Sequence, residues 1–269
     1  MELFYVVLLL LALGLGGGFL AGLLGVGGGA VFVPGLYYIL KHYGFADNAM
    51  HIAVGTSLLV IILTGLSSAR AHYKRGVVDV VLLRQFLPGV FIGVGVGTAL
   101  SGVLSTQALK VIFAVSQLSF GSYMLLRVNR TALVPAMPRQ PWVSVIACAN
   151  ACLATMMGVG GGVQNVTFMT LCNVPIHRAI ATVAAIGPFI AVIGAGGFLY
   201  IGLSDPDLPR YSIGYLNFAA AGVIMMTSLF MAPVGARLAH SLPVSRLKRA
   251  FSIFMLCVSL KMLSEIFMS

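Results

Sequence analysis

Two runs of Gly-Val-Gly-Gly-Gly, Gly25–Gly29 and Gly158–Gly162, are the residues of this chain best placed to do chemistry. Each interrupts a long apolar stretch and is followed by residues that can restart a helix. A helix start leaves about four N–H groups without intrahelical partners and carries about half a positive charge. Glycine lets a backbone approach a ligand closely and adopt φ > 0. Together they offer reversible capture of an anion by backbone amides, at Gly27, Gly28, Gly29 and Ala30 in one copy and at Gly160, Gly161, Gly162 and Val163 in the other.

Polar neighbours could complete such a site. Gln164 and Asn165 directly follow the second run, and Thr56, Ser57 and Thr182 lie just inside the next apolar segments. Hydroxyls and amides donate hydrogen bonds to an oxyanion while staying neutral. For Thr56 and Thr182 a bond to their own helix carbonyl is the competing reading. His51, His177 and Arg178 stand at helix entries, where they serve either interfacial solvation or a substrate vestibule.

Packing alone explains other glycines better than these. Gly14, Gly18 and Gly22 recur every four residues, as do Gly89, Gly93 and Gly97, and such small-residue stripes are helix contacts. Four glycines within five residues weaken a helix by about 1 kcal/mol each relative to alanine, more than a contact requires. A nucleotide site is excluded, because neither run has G-x-G-x-x-G spacing, a preceding strand or a Walker lysine.

The remaining chemistry is sparse. The acids Glu2, Asp47, Asp79, Asp205, Asp207 and Glu265 lie near ends or loops, which argues against a cation pathway or a buried proton relay. No carboxylate dyad or Ser-His-Asp set suggests an enzyme. Cys148, Cys152, Cys172 and Cys257 match no metal or haem spacing, so no cofactor and no metal are expected. Cys172 follows the second run and leaves open a thiosulfate- or persulfide-handling role.

Composition sets the solvent. The 269 residues are 59% hydrophobic and 8% charged, a balance that belongs to the membrane class. The net charge of +10 is dispersed among apolar spans, which fits basic cytoplasmic loops and excludes a nucleic-acid partner. The first apolar run lacks a basic leader and a cleavage pattern, and reads as a retained membrane segment.

The elements that must position the runs are ten apolar segments, near 3–24, 29–40, 52–69, 82–103, 108–126, 142–157, 163–174, 179–203, 213–236 and 250–268. Most are long enough to cross roughly 30 Å as helices. The pieces 29–40 and 163–174 are short and form broken or re-entrant hairpins with the segments before them.

Motifs recur in order. Ala53–Thr56 aligns with Ala179–Thr182, Gly76–Asp79 with Gly214–Asn217, Gly97–Leu100 with Gly235–Leu238, and Leu109–Lys110 with Leu247–Lys248. Duplication explains this better than coincidence. The loop with Arg70, Lys74, Arg75 and Arg84 is basic, but its counterpart carries Asp205, Asp207 and Arg210. The following loop has Lys110 alone, against Arg237, Arg246, Lys248 and Arg249.

The basic loop has therefore changed place, and the positive-inside rule makes the second half inverted. The expected fold is an all-α polytopic membrane protein of two inverted repeats, 1–130 and 142–269, joined by a linker at 131–141. Each repeat is a broken or re-entrant hairpin plus about three transmembrane helices. The linker region with Arg127, Arg130 and Arg139 falls inside and both termini outside.

Leu24–Pro34 and Met157–Asn165, each opening one half of a small duplicated membrane protein, resemble the sulfite exporter TauE/SafE family. The Gly76–Asp79 turn before a span is similar too, and the resemblance covers nearly the whole chain. It implies a multi-pass inner-membrane permease for sulfite, organosulfonates such as sulfoacetate, or thiosulfate. One departure is that Pro34 follows the first run, whereas Thr167 holds that place in the second. The partners expected are a small anionic substrate and the lipid bilayer, with a homodimer left open. An anion channel is the rival to a permease working by alternating access.

Overall fold

A computed structural model describes residues 2–24, 27–126, 134–241 and 244–268. Gly25 and Val26 of the first run and the arginines Arg127 and Arg130 lie outside the described residues, as do the side chains of Glu2, Leu247 and Lys248.

The described residues form ten helices, one for each apolar segment of the sequence. They are α1 (Glu2–Leu24), α2 (Gly29–His42), α3 (Ala49–Lys74), α4 (Val80–Val103) and α5 (Thr106–Leu126), then α6 (Trp142–Met157), α7 (Gly162–Leu171), α8 (Ile176–Gly202), α9 (Phe218–Ser241) and α10 (Val244–Met268). The one departure from an all-helical chain is a hairpin of β1 (Ser212–Ile213) and β2 (Leu216–Asn217), paired antiparallel. It delays the start of α9 to Phe218, five residues after the apolar run begins, because Gly214 turns the chain at φ 53°.

Among the described residues, six stretches are long and apolar enough to cross a membrane: Phe4–Gly22, Ala49–Lys74, Val80–Val103, Thr106–Leu126, Ile176–Gly202 and Phe218–Gly235. Helices α2 and α7, at 14 and 10 residues, are too short. At 1.5 Å per residue they reach about 21 and 15 Å against roughly 30 Å of hydrocarbon.

Helices α3 and α8 pack on each other at the centre, with 72% and 67% of their apolar windows buried against 22% for α1. Around them α1 packs on α9, α6 on α4 and α5 on α10. The glycine stripes make the two closest of these contacts. A methyl group on Gly14, Gly18 or Gly22 would collide with the α9 backbone around Ile224, Ser228 and Ala232. One on Gly89, Gly93 or Gly97 would collide with Ser144, Cys148 and Cys152 of α6. Both stripes are helix contacts, as their spacing suggested, and Cys148 and Cys152 share the face that receives one of them.

The outer surface is apolar. Phe91, Ile92, Val103, Val192, Met226 and Phe230 are exposed along the helices. Tyr73, Trp142, Tyr200 and Tyr211 are exposed near helix ends, where an amphipathic ring suits the membrane interface.

Candidate functional site

Both glycine runs break helices through backbone that L-residues rarely adopt. Gly27 and Gly28 have φ of 82° and 70°, and Gly28 is the N-cap of α2. In the second run Gly158, at φ 66°, ends α6 as a left-handed C-cap, and its N–H donates to the Thr155 carbonyl. Gly160 and Gly161 follow at φ 53° and 75°, and Gly161 is the N-cap of α7. Neither N-cap carries a side-chain cap hydrogen bond. A serine or aspartate would normally satisfy the first amides of such a helix. Here they are left to other partners.

The two breaks meet. A methyl group on Gly29 would overlap the Gly158 carbonyl oxygen and stand 2.8 Å from Val159 Cα, so backbone lies against backbone. Ser57 Oγ donates to the Gly158 carbonyl at 2.8 Å. Ile61 of α3 fills the space between them: Cβ positions built on Gly29 and Gly160 fall 3.1 and 3.2 Å from its side chain, and one on Gly27 falls 3.8 Å away.

The second break is the polar one. Gln164 and Asn165 are 2% and 0% exposed. Gln164 Nε2 donates to Met157 Sδ at 3.4 Å, and Asn165 Oδ1 accepts from Asn150 Nδ2 at 3.0 Å. Their other polar atoms, Gln164 Oε1 and Asn165 Nδ2, are buried without a partner. Asn165 Nδ2 lies 2.8 Å from the place of a Cβ on Gly161. Each such orphan costs about 1–3 kcal/mol, and the second break holds two that the described residues leave unpaired.

The hydroxyls have other duties. Thr56 Oγ1 accepts from the Asn217 N–H at 3.0 Å, and Thr182 Oγ1 accepts from the Asp79 N–H at 3.0 Å. Thr182 also donates to its own helix, at the Arg178 carbonyl, 2.8 Å away. Asp79 in turn caps α4 by accepting from Val81 and Leu82, and Asn217 caps α9 by accepting from Ala220. Each threonine thus holds the turn that starts a helix in the other half of the chain. Of the three hydroxyls only Ser57 bonds a break, at the Gly158 carbonyl, while Thr56 and Thr182 hold the starts of α9 and α4.

The vestibule candidates do not converge. His51 is buried, not interfacial: its Nε2 lies 3.0 Å from the Ser101 carbonyl, its Nδ1 lies 3.3 Å from Thr106 Oγ1, and its ring packs at a tilt against Tyr215. His177 is exposed, and Arg178 is paired with Asp79 at 3.0 Å. Tyr215 in the hairpin donates to Asp205 at 3.0 Å, and burial, then this bond, push its hydroxyl up to about 12. Cys172 caps the far end of α7, about 15 Å along the helix from the glycines, which removes it from the break.

Three features escape sequence reasoning. Asn150 is one, although an amide inside the apolar α6 was a usable signal. Ile61 is another and carries no signal, being one aliphatic residue among many. The third corrects the reading of Lys110 as a loop cation. Lys110 is buried, and its Nζ lies 3.1 Å from Glu265 Oε2, which also holds Lys41 at 3.1 Å. This cluster ties α2, α5 and α10 together.

Comparison with known proteins places the chain. The model of the sulfite exporter TauE/SafE family matches residues 10–262. A probable membrane transporter protein of Haemophilus influenzae is 34% identical over 97% of this chain and 99% of its own length. Probable membrane transporter proteins of Methanocaldococcus jannaschii and Bacillus subtilis are 21% and 24% identical, with 97% and 96% of this chain covered and 97% of each relative. No solved structure matches.

Proposed function

The chain belongs to the sulfite exporter TauE/SafE family of multi-pass membrane transporters, and from that premise we propose a permease for small sulfur-containing anions. Sulfite, an organosulfonate such as sulfoacetate, or thiosulfate would bind where the two glycine breaks meet. The observation that carries this reading is the buried, unpartnered Asn165 Nδ2, an N–H donor beside a helix start that has no side-chain cap. The amides of Gly160–Val163 and of Gly27–Ala30 would hold the oxyanion, the hydroxyl of Ser57 would hold the second break, and those of Thr56 and Thr182 would dock the starts of α9 and α4. The protein transports and does not catalyse a reaction.

The halves are read as inverted repeats working by alternating access. The exchange of basic and acidic loops supports this, and so does the reciprocal docking of Thr56 on Asn217 and Thr182 on Asp79. Rocking one repeat against the other would move Ile61 from between the breaks and expose the site to alternate sides.

Export fits the energetics. One charge crossing 100 mV is worth about 2.3 kcal/mol, so a dianion gains about 4.6. At about 1.4 kcal/mol per decade, an inside-negative potential supports roughly a thousandfold gradient without a coupling ion. The test is flux from proteoliposomes with sulfite, sulfoacetate, taurine, thiosulfate and sulfate, with and without an imposed potential. Saturable, potential-driven movement of one sulfur anion is expected. If none moves or competes, the reading fails.

A further inference from the structure

The two breaks are built alike but furnished differently. The offset that superposes the glycine runs also places Gly17 on Asn150 and Phe32 on Asn165. The structure pairs these residues in the same way. In the first half the Phe32 ring packs against both Gly17 and Gly28, where a Cβ on either would collide with it. In the second half Asn150 bonds Asn165 at 3.0 Å, and Asn165 lies against Gly161. One contact between paired helices is therefore a glycine with a phenyl ring in one copy and two amides in the other.

A phenyl ring offers no N–H donor to an oxyanion, whereas a primary amide offers two. With its oxygen committed to Asn150, Asn165 has only its N–H2 left to present, and that group is buried, unpartnered and beside the N-cap of α7. Were the amide turned over, its oxygen would face the break and repel an anion. Asn150 Nδ2, donating to Oδ1 at 3.0 Å, holds the first of these orientations.

We propose that the anion site is one-sided: Asn150 is a positioning residue that fixes the Asn165 N–H2 toward Gly160–Gly162, and the oxyanion head seats on the second break. The first break, lined by Phe32 and Ile61, completes the enclosure without a side-chain donor. This rests on the anion-permease reading above and adds which break binds and which residue outside the glycine motif tunes it.

The experiment is sulfite and sulfoacetate flux from proteoliposomes, read as KM and kcat separately, for wild type, Asn150→Ala, Asn150→Asp and Asn150→Gln. Thermal unfolding in detergent reports the fold of each. Asn150→Asp can only accept, so it turns the Asn165 N–H2 away from the break, and KM rises at least tenfold with kcat less affected. Asn150→Ala releases the amide and raises KM less. Asn150→Gln keeps a donor and recovers affinity relative to alanine. A purely structural role would lower the unfolding temperature in proportion to side-chain loss and leave the KM of folded protein unchanged, and that result overturns the proposal. Should Asn150→Ala fail to fold, the near-isosteric aspartate and glutamine variants decide between these outcomes. If wild type moves neither anion, the permease reading falls and the positioning role falls with it. If wild type moves them and the Asn150 series is flat, only the positioning role is lost.

Discussion

Ser57 of α3 donates to the carbonyl of Gly158 at 2.8 Å, across 101 positions of chain. Gly158 ends α6, so its carbonyl is one that no intrahelical N–H can reach. The hydroxyl of one half thereby completes the helix end of the other, at the point where Gly29 lies against Gly158. Position 183 in the repeat alignment holds Val183, so the bond has no counterpart on the other side. Ser57→Ala strands a buried carbonyl at a cost of about 1–3 kcal/mol. Its transition in detergent should fall measurably, and transport should weaken. An unchanged transition would mean that the breaks are held together by packing alone.

Glycine at the junction answers to sterics, which separates it from the glycines that face open space. Gly29→Ala drives a methyl into the Gly158 oxygen, whereas Gly16, Gly95 and Gly222 face open space. Alanine at those three positions should leave flux intact and, inside helices, add up to about 1 kcal/mol of stability each. Gly29→Ala should abolish or sharply reduce flux while the protein still inserts. Flux assays on matched amounts of purified protein make the comparison.

Thr56 and Thr182 test whether the hydroxyls touch substrate. Valine keeps shape and removes the acceptor for Asn217 N–H or Asp79 N–H. Each replacement should cost about 1–3 kcal/mol in stability and change kcat more than KM. A large rise in KM with normal stability would return these residues to the substrate.

The ion-pair cluster predicts a non-additive pair. Glu265→Gln leaves the buried Lys110 without its carboxylate, and breaking a buried pair costs about 3–5 kcal/mol. Since Glu265 keeps partial exposure, the loss should fall at the low end of that range. Lys110→Met combined with Glu265→Gln should recover much of it. Chemical denaturation in detergent of the two single variants and the double variant gives the coupling energy.

Orientation is open to labelling. Cys257 is the exposed one of the four cysteines, so the background is Cys257→Ser. Cysteines placed at Arg75 and at Asp207 should label from opposite sides with an impermeant maleimide, Arg75 from the cytoplasm. Labelling of both from one side would end the inverted arrangement.

The order of elements was legible because hydropathy reports burial in lipid directly. All ten apolar segments are helices, and the left-handed glycines at both breaks follow from residue type alone. A close helix contact was legible only where a small-residue stripe announced one, as for Gly89, Gly93 and Gly97, and the stripe did not name the partner helix. The Thr56 and Thr182 bonds were not, since a threonine near a helix start reads equally as bonded to its own helix. Thr182 does both. Lys110 misled because its partner stands 155 residues away, and charge counted along a chain carries no distance in space. Asn150 was passed over because its role exists only when α6 and α7 are folded back on each other.

Asn165 is the most direct place to test the proposed site, because its unpartnered N–H2 lies beside Gly161 and is the donor proposed for the anion. The measurement is efflux of radiolabelled sulfite from proteoliposomes at an imposed inside-negative potential, for wild type and for Asn165→Leu of matched folded content. Potential-stimulated efflux is expected from wild type, with at least a tenfold loss of apparent affinity in the variant. Efflux of equal affinity from both proteins, or none from wild type across the panel of sulfur anions, would contradict it.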